Sequence, residues 1–307
     1  MGMIREQSTG TVQQLVAEHV VGRGIGCATR INERYVSAQH AIVRWSGEVW
    51  ELRDLGSRNG TFLNGSRITP GREYTLAKGA KISFGKPIAE WEFVDDAPAR
   101  AMAMPVLGGE PVLADEELIA LPSHEQPSAT IYRTTDGSWV LEQADDSTTP
   151  ITNLQLFEIQ GQVFKFCCPE ISRKTSFADA YLDNEVRQVQ LLFSVSSDEE
   201  HVQIQAVLGA TSVDLGARSH NYLLLTLARR RLADASAGVP ETSCGWIYLE
   251  DLAHDPTMSG GQLNIDVFRI RKQFAALGVV DAGHIVERRP RTRQIRIGTG
   301  RVSIDKV

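Results

Sequence analysis

The spacing of apolar residues changes once along this chain, and that change constrains the fold more than any other feature. Up to about residue 215, apolar and polar residues alternate in short runs, as in Ala41–Trp45, 49–52, Lys81–Phe84, 139–141 and 163–166. That is the period of a half-buried strand. Turn residues punctuate the runs, among them Asn64-Gly65, Asp136-Gly137 and Gln160-Gly161. From His220 the period becomes helical. Leu263, Val267, Ile270, Phe274 and Leu277 step by 4, 3, 4 and 3, and Gly278 follows where a C-cap belongs. The pattern predicts one helix over 222–232, a short one within 245–254 and a strong one over 263–277. A terminal hairpin, 284–287 with 294–297, follows them. Arg229, Arg230 and Arg231 are expected to close the first helix, where cations complement the helix dipole. The expected class is mainly β with a C-terminal α+β domain.

Five prolines and no sustained period mark residues 96–128 as a linker, with a short helix near 116–121. The expected domains are therefore 1–95, a linker at 96–128, a β-rich middle segment of unassigned role at 129–199, and 200–307. No apolar run of the 307 residues reaches the ~18–20 needed to span a bilayer. The first ten residues lack an apolar signal core, and the four cysteines form no C-x-x-C pair. A cytoplasmic location without disulfides or metal is the expectation. The net charge of -6 conceals an asymmetry: residues 218–307 carry 14 Lys/Arg against 9 Asp/Glu, while 96–184 carry 5 against 14. A basic end on an acidic chain points to a polyanion partner or to a solvated charged face.

An ordered set of polar residues interrupts the first β region: Gly22-Arg23, then Ser37-Ala38-Gln39-His40, then Asp54-Leu55-Gly56-Ser57-Arg58-Asn59-Gly60-Thr61, then Asn64-Gly65, and finally Phe84-Gly85. In order and spacing it resembles a forkhead-associated (FHA) domain over about 11–95. The resemblance implies a β-sandwich whose loops at one end bind phosphothreonine in an extended peptide. A phosphothreonine brings close to two negative charges and several acceptor oxygens. Arg23 would supply charge-assisted donors and Ser37 a hydroxyl, with Arg58, Asn59 and Gly60 on the loop that holds phosphate and peptide. Gly22, His40, Thr61, Asn64 and Gly65 are expected to be structural, as are Trp50 and Asp54. Ala38 departs from the family, which usually has Arg or Asn there. The expected consequence is weakened binding, with Arg58 compensating.

The C-terminal order of strand pair, helix, short helix, strong helix and hairpin resembles the winged helix-turn-helix of OmpR/PhoB-type DNA-binding domains over about 200–305. The run from Leu263 to Phe274 fits that family's apolar pattern ending in Arg-Lys-x-apolar. The resemblance implies a helix in the major groove, with Val267, Ile270 and Phe274 inward and Asn264, Asp266, Arg269, Arg271 and Lys272 outward. The hairpin would add Arg288, Arg289, Arg291, Arg293 and Arg296 as wing cations. The family's usual Gly-Tyr in the wing is missing.

The chain has no Walker loop, G-x-S-x-G or H-E-x-x-H motif. It is not expected to be an enzyme or to hold a cofactor. The two resemblances together imply a bacterial transcriptional regulator that responds to phosphothreonine. The alternative is an adaptor in Ser/Thr-kinase signalling whose winged helix makes protein contacts. The partners implied are a phosphothreonine-containing protein, double-stranded DNA, a Ser/Thr kinase, RNA polymerase through the loop at 251–261, and a second copy in a homodimer. No membrane partner is expected. Thr130, just past the linker, is the candidate phosphoacceptor for the chain's own pocket.

Overall fold

The computed structural model describes residues 1–88, 90–145, 147–169, 184–252, 260–289 and 292–307. The chain divides into two compact units. The first is Met1–Met102 with Asn153–Gln155 and residues 165–169; the second holds Ala103–Thr152, Leu156–Phe164 and the described residues from 184 onward.

The first unit is a β-sandwich. One sheet has the spatial order Val12–Gln14, Met3–Glu6, Trp91–Asp95, Lys81–Phe84, Thr61–Leu63, Ser66–Arg67. The other runs Thr29–Arg30, Glu18–Gly22, Ala41–Trp45, Trp50–Asp54, Glu73–Thr75. Strand alternation explains the core between them. In Trp50–Asp54 the residues Trp50, Leu52 and Asp54 are buried, and Glu51 and Arg53 are only partly covered. Ile4, Ile82, Phe84 and Phe93 of the first sheet pack with Val21, Val43, Trp50 and Leu52 of the second. Trp50 and Phe93 meet edge to face at 6.5 Å. The Asn64-Gly65 turn has φ of 51° and 80° and joins Thr61–Leu63 to Ser66–Arg67 as a two-residue hairpin.

The second unit contains an antiparallel sheet of Leu118–Leu121, Ala129–Arg133, Trp139–Gln143 and Thr148–Ile151. Its first strand replaces the helix expected near 116–121. Leu-Ile-Ala-Leu is buried along its whole length, and a short apolar run does not distinguish strand from helix by period alone. With Met102–Pro105 and Val112–Leu113 also extended, residues 96–128 are strand-bearing rather than an irregular linker. Thr130 lies inside Ala129–Arg133 and is 7% exposed. It is therefore closed to a kinase in this arrangement, contrary to its role as candidate phosphoacceptor.

Another sheet has the order Thr211–Ala217, Val202–Leu208, Gln190–Val195, Val302–Lys306, the last strand being parallel to its neighbour. A domain boundary at 200 would cut this sheet. Helix α1 spans Asn221–Ser236, α2 Leu249–Leu252 and α3 Gly260–Ala276. The hairpin Val286–Arg289 with Gln294–Ile297 follows, and Ile247–Tyr248 pairs with its second strand. Because α1 runs on to Ser236, Arg229–Arg231 do not cap it. Arg229 is bidentate to Glu199, Arg230 pairs with Asp234, and Arg231 is buried and donates to the Ile297 carbonyl. One apolar cluster includes Leu118, Ala120 and Tyr132 together with Leu224, Val267, Phe268, Ile270, Phe274 and Ile295. The middle strands and the C-terminal helices thus share a core.

Candidate functional site

The residues quoted from the first motif set meet at one end of the sandwich. The Arg23 backbone N–H donates to the Ser37 carbonyl at 2.9 Å, and Arg23 Nε donates to the Val36 carbonyl at 3.3 Å. The Arg58 N–H donates to Ser37 Oγ at 3.1 Å across 21 residues of sequence. As an acceptor there, Ser37 keeps its own O–H to give elsewhere. Asn59 Nδ2 donates to the Tyr35 carbonyl at 2.8 Å. Arg23, Arg58 and Asn59 are exposed, and Ser37 is half-buried.

Buried polar residues beneath this apex fix its loops. His40 is fully buried. Its Nδ1 accepts from the Ser37 N–H at 3.1 Å, so the proton belongs on Nε2, which donates to the Gly60 carbonyl at 3.1 Å. Burial holds its pKa below the ordinary histidine value, consistent with a neutral ring. Asp54 is 0% exposed and is the hub of the other loop. Its Oδ1 accepts from the Gly56 and Ser57 N–H groups at 2.8 Å, and its Oδ2 from Ser57 Oγ and Thr61 Oγ1 at 2.6 Å. Burial pushes this carboxyl up, but the hydrogen bonds from Ser57, Thr61 and Gly56 outweigh it and hold the pKa below its usual value. Ser57 Oγ in turn accepts from the Gly60 N–H at 3.0 Å. Gly60 has φ of 87°, which favours glycine, and a Cβ there would stand 2.3 Å from Arg67 Nε. Gly22 is held by space: its Cβ would stand 2.4 Å from the Ala38 carbonyl oxygen. Asn64 Oδ1 accepts from the Lys81 N–H at 2.9 Å, a turn contact within the sheet.

Two further cations border the apex and carried no motif in the sequence. Arg30 Nε donates to the Arg23 carbonyl at 3.3 Å, and Arg67 lies against Gly60. Among the described residues Arg23, Arg30, Arg58 and Arg67 have no ion-pair partner. Four guanidiniums without carboxylates, and the Ser37 O–H, give this end of the sandwich donors suited to an anion. The Asp54-x-x-Ser57 spacing, an aspartate ahead of a turn that can accept its N–H groups, was the available signal for the hub.

The C-terminal residues assigned to DNA are arranged differently. Val267, Ile270 and Phe274 are buried as expected. Arg271 is a correction: its side chain is 1% exposed, and it is bidentate to Glu142 at 2.8 and 2.9 Å. It also donates to the Val286 carbonyl and lies 4.8 Å from the Tyr132 ring centroid. Arg288 is a second correction, 4% exposed, 3.5 Å from Glu142 and donating to Asn264 Oδ1 at 2.8 Å. Asn264 is thereby engaged within the protein, and Asp266 is buried and accepts from Gln262 Nε2 at 2.8 Å. Both arginines point inward because the sheet carrying Glu142 packs there, 129 residues away in sequence from Arg271. Burial pushes the Glu142 carboxyl up, yet the charges of Arg271 and Arg288 outweigh it and hold its pKa below the ordinary value. Lys272 pairs with Asp115 at 2.6 Å. Arg289 and Arg296 lie over the Trp246 ring at 4.2 and 4.4 Å. Arg269 and Arg293 remain more than half exposed, at 52% and 66%. Arg291 and most of the loop assigned to RNA polymerase, 253–259, lie outside the described residues.

Comparison with known proteins matches residues 19–85 to the FHA domain family. Protein FraH of Nostoc sp. is 40% identical over 55 residues, which are 18% of this chain and 19% of FraH. The FHA domain-containing protein FhaA of Mycobacterium tuberculosis is 37% identical over 75 residues, 24% of this chain and 14% of FhaA. The chain thus spans less than a fifth of either relative. A solved FHA domain studied for phosphothreonine-dependent interactions is 30% identical, with a TM-score of 0.28, covering 31% of this chain and 95% of that one.

Proposed function

We propose that the FHA domain at residues 19–85 binds a phosphothreonine peptide at its Arg23–Ser37–Asn59 apex and that the chain acts in Ser/Thr-kinase signalling. FHA domains bind phosphothreonine peptides. The observation that carries this reading is the Ser37 hydroxyl. It is fixed as an acceptor by the Arg58 N–H and left with a proton to donate, beside the exposed and unpaired Arg23. The phosphate would take the Arg23 guanidinium and the Ser37 O–H, with Arg58, Arg30 and Arg67 supplying surrounding positive charge. A Ser/Thr kinase would create the ligand on a partner protein.

Calorimetric titration of a degenerate phosphothreonine peptide pool into the full chain tests this. Arg23→Ala should weaken binding by about 2–3 kcal/mol, the value of a hydrogen bond to a charged group with its Coulomb attraction. The melting temperature should change little, because Arg23 is exposed and pairs with no carboxylate among the described residues. Retained affinity in Arg23→Ala, or equal binding of the unphosphorylated pool, would overturn the assignment.

For the C-terminal region, the order of three helices and a hairpin supports a winged helix. A bacterial transcriptional regulator that contacts DNA and RNA polymerase is the reading that follows. Exposed Arg269 and Arg293 support it. The adaptor reading has its own specific support: Arg271 and Arg288 are already spent on Glu142. A salt series of duplex binding by the full chain separates the two, since binding through phosphates weakens steeply with salt.

A further inference from the structure

Two arginines from different elements converge on one carboxylate. Arg271 of α3 holds both oxygens of Glu142 at 2.8 and 2.9 Å, and Arg288 of the hairpin approaches Oε1 at 3.5 Å. A carboxylate taken by one planar guanidinium fork and approached by a second presents what a phosphodiester presents: one negative charge shared over two oxygens. The neighbouring cation repeats the arrangement, with Lys272 Nζ 2.6 Å from Asp115 Oδ2. One turn earlier on α3, Phe268 meets the His124 ring at 5.1 Å. Positions 268, 271 and 272 of α3 and Arg288 of the hairpin are therefore all covered by groups from residues 115–142. That covering stretch belongs to the acidic part of the chain.

We propose that Glu142 and Asp115 stand in for nucleic-acid phosphates, so that the 118–151 sheet occupies the surface between α3 and the hairpin and a duplex binds by displacing it. This rests on the winged-helix reading above. The arrangement is a poor choice if it serves only to fill a core. Apolar residues of the same volume serve a core as well as a buried ion pair or better, and Arg271 Nε is buried with no hydrogen-bond partner. Competition with an external anion gives the charges a use. The opened surface would present Arg271, Lys272 and Arg288 together with Arg269 and Arg293, which are already exposed.

The test uses the full chain. A fluorescent duplex of mixed sequence is titrated with wild type, Glu142→Gln and the double variant Asp115→Asn/Glu142→Gln across a salt series, with circular-dichroism melting to verify folding. The double variant should bind about tenfold tighter than wild type at low salt, and its affinity should fall more steeply as salt rises because more phosphates are engaged. Equal affinities of folded variants and a binding wild type would overturn the competition and leave the winged-helix reading standing. Failure of every protein to bind duplex at low salt would remove both. Hydrogen exchange on the wild type needs no variant to fold. Saturating duplex should speed exchange in Trp139–Gln143, and unchanged exchange there overturns the proposal.

Discussion

Replacing Asp54 tests the account of the apex at its base, because this carboxylate touches no ligand in the proposed function and yet holds the loop that bears Arg58 and Asn59. Its four hydrogen bonds at 2.6–2.8 Å come from two backbone N–H groups and two hydroxyls, all on residues 56–61. In Asp54→Ala those donors lose their acceptor in a site closed to solvent. Each buried unsatisfied donor costs ~1–3 kcal/mol, and water can reach the half-covered Gly56 N–H where it stands, so the sum is about 4 kcal/mol. Asp54→Asn keeps one oxygen. That oxygen must serve the two backbone N–H groups, which cannot rotate, while Ser57 and Thr61 reorient their hydroxyls; the loss is then about 2 kcal/mol. Urea unfolding of the full chain reads both values in the transition that the sandwich tryptophans report. Phosphopeptide affinity should fall in Asp54→Asn although Arg23 and Ser37 are intact. Because the folded pKa lies below the unfolded one, the contribution of Asp54 is complete above about pH 4 and disappears as pH falls through the folded value. The difference between wild type and Asp54→Asn should shrink in acid along with it. An Asp54→Ala protein within 1 kcal/mol of wild type that binds phosphopeptide normally would refute the hub.

His19 offers a pH prediction of the same sign in a higher window. Burial lowers its pKa to about 4, so the unfolded chain takes up a proton near pH 6.5 that the folded one refuses, and stability is lost between about pH 6.5 and 4 and then levels off. The full loss is about 3 kcal/mol, and a His19→Gln variant should flatten the melting curve's pH dependence across that window. In the second unit, Glu142→Ala leaves Arg271 buried and unpaired and should cost about 3–5 kcal/mol, whereas Glu142→Leu/Arg271→Met should recover most of it; chemical unfolding of the single and double variants checks this. Gly60→Ala should cost about 1–2 kcal/mol, because φ of 87° is disfavoured for a side chain even though the exposed Arg67 can move aside; thermal melting reads it directly.

The sandwich and its apex were legible because their determinants are local. Gly22-Arg23, Ser37 to His40 and Asp54 to Gly65 each form a turn whose residue types follow from backbone geometry, and their order alone brought them together. His40, read in the sequence as structural, makes its two hydrogen bonds to the backbone at Ser37 and Gly60. The helical period likewise located α1 and α3, since a buried stripe at 3.6 residues has few other uses. Residues 96–128 were misread because five prolines obscured strands whose partners lie later in the chain, and Leu118–Leu121 is too short for its period to decide. Arg271 was misread for a different reason. Its position on α3 was correct, but an outward-pointing arginine on an isolated helix becomes an inward-pointing one when another sheet packs against that face. Nothing near residue 271 records that sheet.

That distinction changes what the basic balance of the C-terminal region means. The excess of Lys/Arg over residues 218–307 is a property of the chain, but a cation already paired with a carboxylate attracts a polyanion less than an unpaired one. Arg271 and Arg288 share Glu142, Lys272 has Asp115, and Arg229 has Glu199. Each of these carboxylates precedes residue 200, outside the window in which the excess was counted. Carboxylates ahead of residue 200 thus neutralise several of the basic end's cations. The FHA apex is the reverse case: residues 1–95 are nearly balanced, with 12 Lys/Arg against 10 Asp/Glu, yet among the described residues Arg23, Arg30, Arg58 and Arg67 stand there without acidic partners. Short-range Coulomb energy falls off within about a Debye length of 8–10 Å at physiological salt, so local pairing rather than regional charge decides where an anion binds first. Under the proposed function that place is the apex, where a phosphorylated partner would meet cations without competing carboxylates.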